Sequence, residues 1–172
     1  MTKIINFIGG PCIGKSTLAT KLFFHMKTLG LNVEYLPEYI KFETYSRDSV
    51  HDWYQFKVFA IQNDLLSDMR LSGIDYVITD SPLILPPIYY NGHISSFLKF
   101  ALDVFNDYDN VNFLLYRTED IEFSGIGRFQ KTIDSARKID ENIRTLLNSF
   151  NIKYFEVTIN SSSESLMEYV NG

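Results

Sequence analysis

Short, nearly continuous apolar runs alternate along this chain with longer stretches in which apolar residues return every three or four positions. The run Lys3–Ile8, with Ile4, Ile5, Phe7 and Ile8, predicts a buried strand. The stretch Lys15–Leu29 predicts a helix, stopped by Gly30. Asn32–Leu36 reads as a second strand ended by Pro37, and helical spacing returns from about Val50 to Met69. Asp75–Thr79 is a third strand and Ile94 to about Phe105 a further helix. Val111–Tyr116 is a fourth strand, followed by a long helix from about Phe129 to Phe150. Lys153–Val157 is a fifth strand, and Ser161-Ser162-Ser163 can cap a last helix over Glu164–Val170. Strands separated by helices predict an α/β domain with a parallel sheet covered on both faces. Ligands of such sheets gather at the carboxyl ends of the strands, which makes those ends the places to search.

Composition adds limits. The chain has 172 residues, enough for one sizeable core and short for two, so a single domain over 1–172 is expected. A net charge of −5 argues against broad binding to nucleic acid or an anionic membrane, though not against a local basic groove. The one cysteine, Cys12, cannot form an internal disulfide, which points to a reducing, cytoplasmic setting. His25, His51 and His93 are scattered, which disfavours a zinc site. No apolar run approaches the roughly 18 residues of a membrane span, and no signal peptide is read at the first strand.

Between the first strand and first helix lies Gly9-Gly10-Pro11-Cys12-Ile13-Gly14-Lys15-Ser16. It fits G-x-x-x-x-G-K-S/T, the P-loop pattern, whose ligand class is the phosphates of ATP or GTP. Its glycines let backbone N–H groups turn inward around an anion, and the positive end of the new helix adds favourable potential. Gly10, Cys12, Ile13, Gly14, Lys15, Ser16 and Thr17 form the expected nucleotide-binding set. Lys15 should reach the β- and γ-phosphates. The Ser16 hydroxyl should ligate Mg²⁺, with Thr17 beside it. The chain lacks the Asn/Thr-Lys-x-Asp run that reads guanine, which favours ATP.

Other strand ends supply further candidates. Asp80, in Thr79-Asp80-Ser81-Pro82, follows apolar residues as a Walker B acid does and is expected to hold Mg²⁺ through its water shell. Its rival role is to cap the Ser81-Pro82 turn. Glu38, after the second strand, is a candidate base or acceptor-orienting group, against the alternative of a solvent-facing loop acid. The segment from about 118 to 131 contains Gly125 and Gly127 and reads as a lid, with Arg128 placed to stabilise a transferring phosphoryl group. Arg137 faces either the cleft or solvent. Gln62 offers a donor and an acceptor to a flat ring, or simply packs. Tyr89-Tyr90-Asn91 after Pro86-Pro87 is another possible cleft wall. In the last long helix Phe129, Ile133, Ala136, Ile143 and Leu147 make an apolar stripe, and Asp140 falls inside it, a position that suggests pairing with an arginine.

Taken together, Lys3–Thr17, Pro37-Glu38-Tyr39, Gln62, Thr79-Asp80-Ser81-Pro82, Gly127-Arg128 and Ala136–Ile143 resemble the small P-loop kinases encoded by many bacteriophages. More distantly the chain is similar to deoxynucleoside and nicotinamide riboside kinases. The resemblance, from Lys3 to Val157, implies a three-layer P-loop kinase fold with a five-stranded parallel sheet in the order 2-3-1-4-5 and a lid. It implies ATP and Mg²⁺ as cofactors and a nucleoside, nucleotide or DNA acceptor. In deoxynucleoside kinases a Glu after the second strand is the base and a Gln on a following helix reads the nucleobase; Glu38 and Gln62 stand at those places. The departure is at Asp80, followed by Ser81-Pro82 where those kinases carry an arginine, which weakens the case for a free nucleoside. One group of the phage enzymes phosphorylates 5-hydroxymethyluracil in DNA. A kinase, an NTPase switch and an inert nucleotide binder are the competing classes. The lid and Glu38 favour the kinase. An inert binder would be expected to lose Lys15, Ser16 or Asp80.

Overall fold

A computed structural model describes residues 2–39, 54–118 and 132–172. The strands are β1 (Lys3–Ile8), β2 (Val33–Leu36), β3 (Tyr76–Thr79), β4 (Asp109–Leu115) and β5 (Phe155–Val157). They form one parallel sheet in the order β2-β3-β1-β4-β5, the order expected from the sequence. The helices are α1 (Lys15–Thr28), α2 (Tyr54–Leu71), α3 (Leu85–Tyr89), α4 (Ser96–Phe105), α5 (Ile133–Ser149) and α6 (Ser163–Asn171).

Side chains alternate across a strand, so the central strand serves two cores. Ile5 and Phe7 of β1 join Ile78, Phe113 and Leu115 against Leu18, Leu22 and Met26 of α1 and Leu166 and Val170 of α6. Ile4 and Ile8 join Val77 and Leu114 against Phe59 and Leu66 of α2, Phe97 and Ala101 of α4, and Ile143 and Leu147 of α5. Three layers result, and β1 is covered on both faces. Burying one such side chain fully contributes about 1.5–3 kcal/mol. Phe7 and Phe113 are wholly buried and their rings lie 5.3 Å apart.

The helices end where glycine allows. Gly30 (φ 76°) and Gly73 (φ 74°) adopt the left-handed conformation after α1 and α2. That turn lets Leu31 N–H reach back to Met26 O and Ile74 N–H to Met69 O. Among the described residues no helix is long and apolar enough to cross a membrane.

Several boundaries differ from the sequence reading. The last long helix begins at Ile133, not near Phe129, because Thr132 is extended (φ −128°, ψ 153°) and caps it reciprocally with Ser135. Residues 129–131 lie outside the described residues. Strand β4 starts at Asp109, two polar residues before the apolar run. Asn110 is tolerated there because its amide donates to Phe105 O and Tyr108 O. Strand β5 is confined to Phe155–Val157. Helix α3 forms at Leu85-Pro86-Pro87, where prolines in a first turn forfeit no helical hydrogen bond.

A polar tie crosses the sheet interior. Asn6 on β1 donates from Nδ2 to Asn110 Oδ1 (2.8 Å) and Asn112 Oδ1 (2.9 Å) on β4. Asn112 in turn donates to Lys153 O. Asn6→Ala should cost about 2 kcal/mol, because it leaves buried oxygens without a donor. Equilibrium urea unfolding measures this. An unchanged midpoint would show that the tie adds nothing to stability.

Candidate functional site

Strand β1 delivers the chain at Ile8 into the glycine-rich loop, and the loop turns directly into α1. The turn uses two left-handed residues, Cys12 (φ 57°) and Gly14 (φ 94°). Gly14 is the N-cap of α1, and no side chain caps that end. A Cβ there would stand 2.6 Å from Ile159 Cδ1, so that side chain would have to shift. Leu18 N–H makes the first helical bond, to Gly14 O. The preceding amides of the first turn have no intrahelical acceptor, the ordinary condition of a helix start that binds an anion. Lys15 Nζ donates to Gly10 O at 2.7 Å, so the ammonium lies back over the loop.

Across the strand ends stands Asp80, only 2% exposed, just after β3. Ser81 N–H of the following turn donates to Thr79 Oγ1 (3.1 Å), so that turn amide is already satisfied by Thr79. Asp80 Oδ1 is buried and has no hydrogen-bond partner among the described residues. A buried carboxylate oxygen without a donor is costly unless a cation or a bound water meets it. The acid therefore fits a Mg²⁺ water shell better than a turn cap.

Tyr35 of β2 lies near enough to Asp80 and Ser16 for both side chains to act on its phenol. Burial and then the Asp80 charge, with a smaller contribution from Glu38, push the phenol well above its ordinary acidity range; the Ser16 contact opposes this. The sequence reading missed Tyr35, although its place at the end of β2 was within the region worth searching.

The acceptor-side candidates are placed unevenly. Glu38 is half-buried past the end of β2, near enough for its charge to act on Tyr35. Gln62 is wholly buried on α2, not displayed on an open wall. Its Nε2 donates to Thr79 Oγ1 at 3.0 Å, while Oε1 is buried with no partner among the described residues. Tyr90 packs edge-on against Phe56 and Phe97, so it is part of an aromatic cluster. Arg128 and the predicted lid beyond Thr118 lie outside the described residues.

On the other side of the loop, Arg137 and Asp140 of α5 line a cleft of about 260 Å³ with Gly9, Ile13 and Arg117. Arg137 is mostly exposed and lies 3.7 Å from Asp134 Oδ1. Asp140 meets the arginine its position called for: its Oδ2 accepts from Arg117 Nε at 2.9 Å. Its Oδ1 accepts from Gly10 N–H, also at 2.9 Å. Gly10 must be glycine for this approach, because a Cβ would fall onto Asp140 Oδ1. The acid sits in the apolar stripe because the loop covers that part of α5.

Comparison with known proteins agrees with this frame. No curated protein matches the chain by sequence. Among solved structures, the thymidylate kinase from Ehrlichia chaffeensis aligns with a TM-score of 0.69 at 13% identity, over 99% of each chain. A NadR protein in complex with NR aligns at 0.72 and 17% identity, and a NadR protein in complex with NAD and AMP-PNP at 0.65 and 15%. Those two alignments take in 99% of this chain but only 52% and 50% of theirs, so the chain spans about half the length of the NadR structures. At these identities the likeness is one of fold, and the fold is P-loop kinase-like. The family model that matches residues 4–164 is described as an AAA domain, and the chain belongs to that AAA domain family.

Proposed function

We propose that the protein is an ATP-dependent phosphotransferase that moves the γ-phosphoryl group to a hydroxyl or phosphate of a nucleoside, a nucleotide or a modified base in DNA. The observation that carries the reading is the buried Asp80 Oδ1, without a hydrogen-bond partner among the described residues, at the end of the strand that pairs with β1. The uncapped start of α1 gives the donor phosphates a place. Ser16 and Asp80 would hold Mg²⁺, directly and through water, and the ion would neutralise charge on the phosphates. Lys15 would leave Gly10 O for the phosphates, and Arg128 would join it from the lid. Glu38 would orient an acceptor hydroxyl and take its proton. Gln62 Oε1, buried without a partner among the described residues, suits a donor N–H of a base edge. Reaching so buried an atom requires the neighbouring side chains to move.

The resemblance to phage kinases supports 5-hydroxymethyluracil in DNA as one acceptor to test. A transfer screen with γ-labelled ATP should include nucleosides, monophosphates, and DNA with normal or hydroxymethylated bases. Label transferred to one of these classes is expected. Label released only to water under every condition would favour the NTPase switch.

Lys15→Ala should abolish transfer and leave the fold intact, since it removes a phosphate partner and cuts no core. Normal turnover in the folded variant would sink the donor-site assignment. Asp80→Asn should slow turnover at saturating Mg²⁺ with little change in melting temperature, because an amide holds metal-bound water poorly. Preserved activity with a large loss of stability would return Asp80 to a turn-forming role. Glu38→Gln should lower kcat by about 10²–10⁴-fold, the usual range for a general base, and leave ATP affinity alone. Full kcat on the true acceptor would point to a phosphate acceptor, which needs no strong base.

A further inference from the structure

We infer that Arg117 and Asp140 are positioning residues that pre-shape the phosphate loop, acting through its backbone and not on the nucleotide. The inference rests on the phosphate-donor reading. Arg117 stands just past the end of β4, with its side chain only 11% exposed. Three of its nitrogens are engaged: Nε with Asp140 Oδ2 at 2.9 Å, Nη2 with Pro11 O at 2.9 Å, and Nη1 with Cys12 O at 3.3 Å. A guanidinium suits this task because its donors leave one plane in fixed directions.

Peptide geometry turns these contacts into a statement about the opposite side of the loop. In a trans peptide the C=O and the next residue's N–H point in opposite directions. The carbonyl of Pro11 shares its peptide plane with Cys12 N–H, and that of Cys12 with Ile13 N–H. Both carbonyls are held by Arg117, so both N–H groups are turned away from it. Those are the donors a bound phosphate would use. The left-handed Cys12 (φ 57°) lets two successive carbonyls face one guanidinium. Asp140 completes the arrangement. One oxygen fixes the guanidinium, and the other takes Gly10 N–H at 2.9 Å, which anchors the loop's first turn to α5. Two residues of other elements thereby settle three peptide planes of the loop. Binding sites held in their bound shape lose less affinity to ordering.

The test is calorimetric titration of the full chain with Mg·ATP and, separately, with inorganic tripolyphosphate, alongside thermal unfolding. Arg117→Ala should weaken both ligands by about tenfold, the loss expected when charge-assisted hydrogen bonds that set a site are removed. Arg117→Lys should recover part of the loss, because an ammonium can hold one carbonyl but not two. Asp140→Asn should weaken binding less than Arg117→Ala. The double variant Arg117→Ala, Asp140→Asn should be no worse than Arg117→Ala within about twofold, since the pair acts as one unit. A folded Arg117→Ala that binds both ligands as the wild type does would overturn the inference, as would a lower melting temperature with unchanged affinity. Weaker ATP binding with unchanged tripolyphosphate binding would also overturn it, because Arg117 would then be touching the nucleoside. If Arg117→Ala does not fold, Arg117→Lys and Asp140→Asn decide by the same readings. Wild-type protein that binds neither ligand would overturn the donor-site reading and this inference together; wild-type binding with unaffected variants would overturn this one alone.

Discussion

If the glycine-rich loop offers its N–H groups to an anion, its carbonyls must point elsewhere, and the observed contacts of the loop meet that requirement. The carbonyls of Gly10, Pro11 and Cys12 are each met by a cation, Lys15 for the first and Arg117 for the other two. Arg117 in turn needs a counter-charge where water is scarce, and α5 supplies Asp140. The helix can come so close only because Gly10 has no side chain. The layering of the fold serves the same end. Strands β1 and β4 are neighbours, which puts the loop after one beside the arginine after the other.

The remaining strand ends are bound together by polar side chains. Thr79 Oγ1 accepts from both Gln62 and Ser81, which fixes the backbone around Asp80. Tyr35 lies against Asp80 and Ser16 from the neighbouring strand. Gln62 Oε1 and Asp80 Oδ1 are among the buried oxygens left without hydrogen-bond partners among the described residues. A buried polar atom in that condition asks for a ligand, an ion or a water. Both lie at the carboxyl end of the sheet, where open parallel sheets bind their ligands.

Much of this was legible in the chain because it is locally encoded. Apolar runs of the right length gave all five strands, and the glycine-rich loop announced itself through its spacing and its flanking elements. The errors were at polar positions. Asp109 and Asn110 belong to β4 although nothing apolar marks them: Asp109 pairs in register with Lys3, and Asn110 is tied to Asn6 on the neighbouring strand. Thr132 stops a helix that periodicity would have carried back to Phe129. Tyr35 looked like one more strand aromatic, since its role depends on what lies across two strands. Asp140 was visible as an anomaly, an acid in an apolar stripe, but its partners are 23 and 130 residues away along the chain. Contacts of that separation leave no periodicity to read.

The sheet order also sets a timetable for assembly. Strand β1 has the loop at its end, yet it pairs with nothing near it: Lys3 lies opposite Tyr76 on one side and Asp109 on the other. Parallel pairing of this kind needs long loop closures and forms slowly. A ribosome making this chain therefore releases the glycine-rich segment long before its neighbours exist, and Arg117 and Asp140 emerge later still. Until then the segment has no reason to hold its carbonyls to one side. The shape of the glycine-rich loop thus depends on residues that follow it by more than a hundred positions, although its signature is local.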